Sequence, residues 1–428
     1  MFKTTHKSRL VKVAAATAAI GSIAAIGFVG SSTASADPKQ LSALVGVGSD
    51  TTQDVMNALS GESTGKLYNP VKSANGVQII SFNATNPAGG TNVCITTKLN
   101  GPSFLRPNGS TNGIGALSRA IDAFPWGTTI PTGSTSPPCG AAKNLRGFVD
   151  FARSSSAPEP SQSTALTYVP FARDALSFAY YKADTPANVV SSLTRAQLTS
   201  IFTNGATTLP ATNGVGTVRV LPCGIQSGSG TFTSWNTVTT AGATETAATN
   251  ECNLLLATGS PKVASTGRAQ ENNGVQLKAR GDAANTAVPG TQVIIGFSAG
   301  SFISKANGTA LPANPAGVLM GSISDPLLGS PVQAGTLPGT LAPNPTFFAN
   351  GAFGRDLYNV FDTAQIDDVF GLYADLQSIF KDLDPSAAVN TATICADAAD
   401  DIVKQFGFIV SPSCGSTSEK TGLGTRTG

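Results

Sequence analysis

Apolar residues recur along this chain with two spacings. Short, nearly unbroken apolar runs alternate with stretches in which apolar positions return every three or four residues. The runs predict strands at Ala43–Gly48, Val77–Phe82, Phe148–Ala152, Ala175–Tyr181, Val218–Leu221 and Val293–Phe297. The longer period predicts helices at Thr51–Leu59, Ile114–Phe124, Leu193–Phe202, Thr231–Val238 and Thr391–Phe406. In the last of these, Ile394, Ala398, Ile402 and Phe406 fall at four-residue steps. Strands alternating with helices predict an α/β fold with largely parallel sheets. Thr128–Pro138 and Asn307–Pro345 are rich in Pro, Gly, Ser and Thr and read as surface loops or insertions. The tail from Ser416 to Gly428 reads as frayed.

The first residues follow another logic. Lys3, Lys7, Arg9 and Lys12 precede an apolar run from Val13 to Gly30, and Ala34-Ser35-Ala36 follows. A basic region, an apolar region and an A-x-A site predict a secretory signal peptide over residues 1–36. No cysteine follows the apolar run, so a secreted protein without a lipid anchor is expected. No later run of 18 apolar residues predicts a membrane span. Cleavage after Ala36 removes those four basic residues, which takes the net charge from +2 to −2, and removes His6, the one histidine. The mature chain then cannot run Ser-His-Asp or Cys-His catalysis, ligate a metal through imidazole, or switch on a histidine. No enzyme chemistry, cofactor or metal is expected.

Charged residues are 12% of the 428, low for a globular chain, and nothing is basic enough for nucleic acid. All six cysteines lie beyond the leader, and none forms a C-x-x-C pair. Export implies an oxidising compartment and three disulfides. Sequence neighbours are taken to pair: Cys94 with Cys139, Cys223 with Cys252, Cys395 with Cys414.

Four loops share one chemistry. Strand Ala43–Gly48 runs into Ser49-Asp50-Thr51-Thr52, and Asn108-Gly109-Ser110-Thr111-Asn112-Gly113 opens a helix. Strand Phe148–Ala152 ends in Arg153-Ser154-Ser155-Ser156. Strand Val218–Leu221 leads to Gln226-Ser227-Gly228-Ser229-Gly230-Thr231 and a helix. Each loop offers hydroxyls, and three offer the unpaired N–H groups and positive dipole end of a helix. Alone, each is an ordinary cap or turn. Four at strand ends point to a site for a small oxyanion. Its candidate residues are Asp50, Thr51, Thr52, Ser110, Thr111, Arg153, Ser155, Ser156, Ser227, Ser229, Gly230 and Thr231, with Arg153 as the principal cation.

With these loops in order, the chain resembles the phosphate-binding, type 2 periplasmic-binding proteins of ABC importers. Gly46-Val47-Gly48-Ser49-Asp50-Thr51-Thr52 is similar to the family's first phosphate loop, and Gly109–Gly113 to its Gly-Ser-Ser-x-Gly helix start. Phe151–Pro158 resembles Ala-Ser-Asp-x-Pro, and Ser227–Thr231 resembles Asp-Gly-Ser-Gly-Thr. Leu193–Phe202, Ile294–Phe297, Arg355–Val360 and Gly407–Val410 match further segments in family order. Two aspartates of that pattern fall on Ser156 and Ser227 here, and its arginine falls near Ile225 or Gln226. The resemblance implies a two-lobed type 2 periplasmic-binding fold. Each lobe would be a mixed, mostly parallel sheet flanked by helices. Lobe 1 would take residues 37–172, lobe 2 residues 173–297, and the return part of lobe 1 residues 298–428, with a loop insertion at about 307–345.

The implied function is a secreted solute-binding protein that takes phosphate or a similar oxyanion between its lobes. A monomer serving an ABC permease is the implied setting. The alternative is a secreted or envelope-associated protein on the same scaffold that has lost oxyanion binding.

Overall fold

The computed structural model describes residues 43–86, 94–127, 139–184, 187–239, 252, 268–324 and 328–424. The expected signal peptide at 1–36 and the loop expected at Thr128–Pro138 lie outside the described residues. One mixed sheet organises the chain. Its main strands are β1 (Ala43–Gly48), β2 (Gln78–Ser81), β3 (Phe151–Ser154), β4 (Leu166–Lys182), β5 (Thr207–Pro210), β6 (Thr217–Pro222), β7 (Thr291–Ser298) and β8 (Gly354–Asp362), with three short strands added along β4. The order across the sheet is β5-β6-β7-β4-β8-β3-β1-β2. β1 pairs in parallel with β2 and β3, and β6 with β7. The long central strands pair antiparallel, β4 with β7 and with β8, and β8 with β3. The helices used below are α1 (Gln53–Leu59), α2 (Ser110–Asp122), α3 (Arg195–Asn204), α4 (Gly230–Thr239), α5 (Gly274–Ala287), α6 (Ala299–Ala306) and α7 (Asp397–Gln405).

β4 carries the architecture. Its first half, Leu166–Ala175, pairs with β8, and its second half, Leu176–Lys182, pairs with β7. The apolar core divides at the same place. One cluster draws on residues from Ala175 to Phe353, including Trp235, Phe178 and Phe297. Two others draw on residues from Ala43 to Ala172 and from Leu357 to Cys414, apart from Ala310. Residues 298–353 give Phe302, Ile303, Phe347 and Phe353 to the first cluster.

Among the elements that differ from the sequence expectation, three do so for a clear physical reason. β4 is 17 residues long where seven were expected. Pro170, Arg173 and Asp174 interrupt the apolar pattern. Pro170 lacks a donor and sits opposite Tyr358, at the register shift between Leu357 and Tyr358, the kind of irregularity that accommodates proline in a strand. The expected helix at 391–406 is broken. Thr393–Cys395 forms a 3-10 turn, Ala396 is extended, and α7 begins at Asp397. The disulfide from Cys395 to Cys414 anchors that turn. The tail is docked through residue 424: Glu419–Thr421 pairs with Tyr168–Leu166. All three cysteine pairs are as expected, Cys94–Cys139, Cys223–Cys252 and Cys395–Cys414.

Candidate functional site

Glycine lets the strand ends and helix starts approach. Gly48 closes β1 at φ +120°, and a Cβ there would meet Arg153 O at 2.7 Å and Gly113 Cα at 3.0 Å. The start of α2 therefore lies directly over the carboxyl ends of β1 and β3. Across from it, a Cβ on Gly230 would collide with Ser110 Oγ and lie 2.6 Å from Ser155 Oγ. The first turn of α4 is thus pressed against the start of α2. Thr111 N donates to Gly228 O at 3.2 Å and ties the two together.

Hydroxyl groups fill this junction. Ser49 Oγ donates to Ser155 Oγ at 3.1 Å, and Ser110 Oγ stands 3.3 Å from Ser155 Oγ while accepting Ser155 N at 3.0 Å. Thr51 Oγ1 lies 3.1 Å from Thr231 Oγ1. Ser229 Oγ caps α4 by accepting Phe232 N at 3.1 Å. The structure thus brings together Thr51, Ser110, Ser155, Ser229, Gly230 and Thr231, all buried. Thr52 is buried beside them, and its Oγ1 has no partner among the described residues. Ser156 is half-buried, with Oγ 3.3 Å from Ser154 Oγ. Thr111 and Ser227 are exposed and contribute no side chain to the cluster.

Arg153 does not play the role expected of it. It is fully buried beneath the cluster. Its guanidinium donates to Gly46 O at 3.2 Å, Gly48 O at 3.2 Å, Ser49 O at 3.3 Å and Ser81 Oγ at 2.9 Å. Each nitrogen is spent on the end of β1 or on β2. Arg153 braces the loop; it does not present a free fork to a ligand.

The cation at the cluster is Arg355, from β8. Its Nη2 donates to Thr231 Oγ1 at 3.0 Å and its Nη1 to Ser155 O at 2.8 Å. Asp174 Oδ2 holds it through Nε at 3.1 Å and Nη2 at 2.8 Å. Asp174 is itself fixed, since its Oδ1 accepts Ser298 Oγ and Gly300 N at the start of α6. In the sequence, Arg355 stands out only as part of a family-like segment; its place on a central strand is the signal that could have singled it out.

Glu271 and Asn272 were also missed, because no periodic or motif signal marks them. Both are buried. Glu271 Oε2 accepts Ser229 Oγ at 2.5 Å and Thr51 Oγ1 at 3.3 Å. Its Oε1 has no partner among the described residues. Asn272 adopts φ 54° and donates Nδ2–H to Thr51 Oγ1 at 3.0 Å. Lys305 of α6 donates to Asn272 O at 2.5 Å.

Charges crowd below and beside the hydroxyls. Burial pushes the Asp50 carboxyl up to about 7, with Lys305 opposing and Glu271 and Asp54 adding to the rise. Burial likewise raises Asp54 to about 6. Burial lowers Arg153 to about 9, against the pull of Asp50 and Asp54. Arg153 is still charged at neutral pH. Among the described residues, no group of three His, Cys, Asp or Glu is placed to hold a metal.

No protein-family model and no curated protein matches the sequence. Solved structures similar to this one are phosphate-binding substrate-binding proteins. The phosphate-binding protein from Stenotrophomonas maltophilia is 17% identical, with a TM-score of 0.43, over 87% of this chain and 91% of that one. PstS from Borrelia burgdorferi is 12% identical, with a TM-score of 0.34, over 86% of this chain and 98% of that one. The periplasmic phosphate-binding protein PfluDING is 16% identical, with a TM-score of 0.37, over 87% and 91%. TM-scores below 0.5 leave the ligand to be argued from this chain's own residues.

Proposed function

We propose that this is an exported solute-binding protein that takes phosphate or a similar small oxyanion at the junction of α2, α4 and the ends of β1 and β3. The observation that carries the reading is the convergence of hydroxyls and helix starts beside a cation. Ser49, Thr51, Ser110, Ser155 and Thr231 lie in a buried network with Arg355 Nη2 3.0 Å from Thr231. The first N–H groups of a helix have no intrahelical acceptor, and an anion satisfies them. Arg355 adds a guanidinium, whose charge-assisted bonds to an oxyanion are stronger than those of a hydroxyl. Glu271 offers the proton acceptor that the resembled family places where Ser156 stands, since its Oε1 is buried and unpartnered among the described residues. A carboxylate accepts a hydrogen bond from an oxyanion that carries a proton and repels one that carries none. The site would therefore prefer phosphate to sulfate.

A second reading is favoured by Arg153, whose donors are all committed to carbonyls and Ser81. On this reading the scaffold keeps its hydroxyl cluster as a structural joint and binds no oxyanion. Calorimetric titration with phosphate, sulfate and a neutral sugar separates the two. Phosphate should bind, and Arg355→Lys should weaken it about 10- to 150-fold by removing a charge-assisted bond worth about 1.5–3 kcal/mol. Glu271→Gln should narrow the gap between phosphate and sulfate. Failure of the wild type to bind any oxyanion supports the second reading.

A further inference from the structure

A cavity of about 390 Å3 adjoins the hydroxyl cluster on the far side of Arg355. Its walls come from the loop after β3, from α4, and from the segment leading into β8. Cavity and cluster are built from the same chain segments. Ser155 belongs to the cluster while Ser156 lines the cavity, and Thr231 belongs to the cluster while Thr233 and Ser234 line the cavity. Arg355 belongs to both, since it lines the cavity and donates to Thr231 Oγ1 and Ser155 O. This volume falls within the range of small-molecule sites, about 300–1,000 Å3, and far exceeds a tetrahedral oxyanion.

The lining combines apolar surface with polar groups, the carboxyl side chains of Glu159 and Asp356 among them. Leu176, Val238 and Phe353 supply apolar surface. Thr237 Oγ1 gives its proton to Thr233 O, which leaves its lone pairs for an incoming hydroxyl. Arg173 donates Nε to Phe348 O at 2.7 Å and places Nη1 3.4 Å from Asp356, so Nη2 has no partner among the described residues. An apolar wall, hydroxyl acceptors and a guanidinium donor together suit a polyhydroxylated carbon skeleton, which has apolar C–H faces and hydroxyl edges.

We infer that the site takes a phosphate monoester of a small polyol or sugar, with the phosphoryl group at the hydroxyl cluster beside Arg355 and the carbon skeleton in the adjoining cavity. This rests on the oxyanion reading above and gives it a ligand class. Arg355 is the shared wall, in reach of the phosphoryl oxygens on one side and the ester's carbon skeleton on the other.

The test is calorimetric titration of the whole protein with inorganic phosphate, glycerol 3-phosphate, glucose 6-phosphate and glucose. The comparison is with Thr233→Trp and Thr237→Trp, which place an indole in the cavity and leave the hydroxyl cluster intact. One or both esters should bind about tenfold or more tighter than phosphate, and glucose should bind weakly or not at all. Each Trp variant should weaken the ester about tenfold or more and change phosphate affinity by less than about threefold. Esters that bind no tighter than phosphate, or as well to both variants as to the wild type, overturn the inference and leave the oxyanion reading standing. A wild type that binds neither phosphate nor esters overturns both. Trp variants that lose phosphate and ester together, with an unchanged unfolding midpoint, overturn the separation of cavity from cluster on which the inference depends.

Discussion

Replacing Arg153 with Met distinguishes a brace from a ligand contact. The side chain is fully buried and reaches three backbone carbonyls, of Gly46, Gly48 and Ser49, plus Ser81 Oγ. Met keeps most of the stem's volume but supplies no donor. Three carbonyls at the end of β1 then lose their charged partner. Each unsatisfied buried polar group costs about 1–3 kcal/mol. The guanidinium's own desolvation, visible as its lowered pKa, is relieved in the same step and offsets part of that loss. A net destabilisation of about 3–5 kcal/mol is expected, the range for breaking a buried charged network. Urea unfolding with disulfides intact, followed by fluorescence of Trp126 and Trp235, reads this as a lowered midpoint at unchanged slope. Arg355→Lys, measured beside it, should lose oxyanion affinity more than Arg153→Met does in the fraction that stays folded. An Arg153→Met protein within about 1 kcal/mol of wild type, with oxyanion affinity lowered more than about tenfold, refutes the brace. It would return Arg153 to the ligand.

Two further outcomes follow from the same geometry. Gly230→Ala places a methyl group against Ser110 Oγ and 2.6 Å from Ser155 Oγ; it should push the start of α4 off α2 and weaken oxyanion binding about tenfold or more by calorimetry, and unchanged affinity would show that close approach is not required. Asp50 has a folded-state pKa of about 7, above its ordinary 3.8, so the fold favours its protonated form. The stability it contributes is fully present below pH 3.8 and is lost as pH rises through about 7. Asp50→Asn should flatten the fall in unfolding free energy between about pH 4 and pH 7; an Asn variant with the same pH profile as wild type would remove Asp50 from that account.

Much of the scaffold was legible in the sequence because its signals are local. β1 spans Ala43–Gly48 as expected, since a six-residue apolar run is a buried strand wherever it pairs. α3 runs over Arg195–Asn204, two residues later than the expected Leu193–Phe202, because Thr194 caps it and forms a capping box with Gln197. The disulfides join sequence neighbours, so pairing by order along the chain holds for all three. α2 starts four residues earlier than its apolar stripe, because Ser110–Gly113 carry no stripe and owe their helical form to Gly109 and to packing on β1.

Within the candidate site, the sequence determined which loops carry hydroxyls, and the tertiary structure decided which of them meet. Ser110 and Thr231 are 121 residues apart and reach one cluster because α2 and α4 both start at the carboxyl edge of one sheet. Ser227 and Thr111 share the same loop chemistry, yet face solvent, because backbone direction at a turn is set by the neighbouring elements. The roles of the charged residues were the least legible. Arg153 follows a strand and so reads as a ligand's cation, whereas Glu271 and Arg355, 118 and 202 residues further along, carry no such mark. Strand order separates the two arginines. β3 lies against β1, whose terminal carbonyls consume the Arg153 guanidinium. β8 pairs with β4 in the register that sets Arg355 opposite Asp174, and that carboxylate holds the guanidinium beside Thr231 and Ser155. A guanidinium binds whatever acceptors the sheet brings to it, and those acceptors lie far away in the chain.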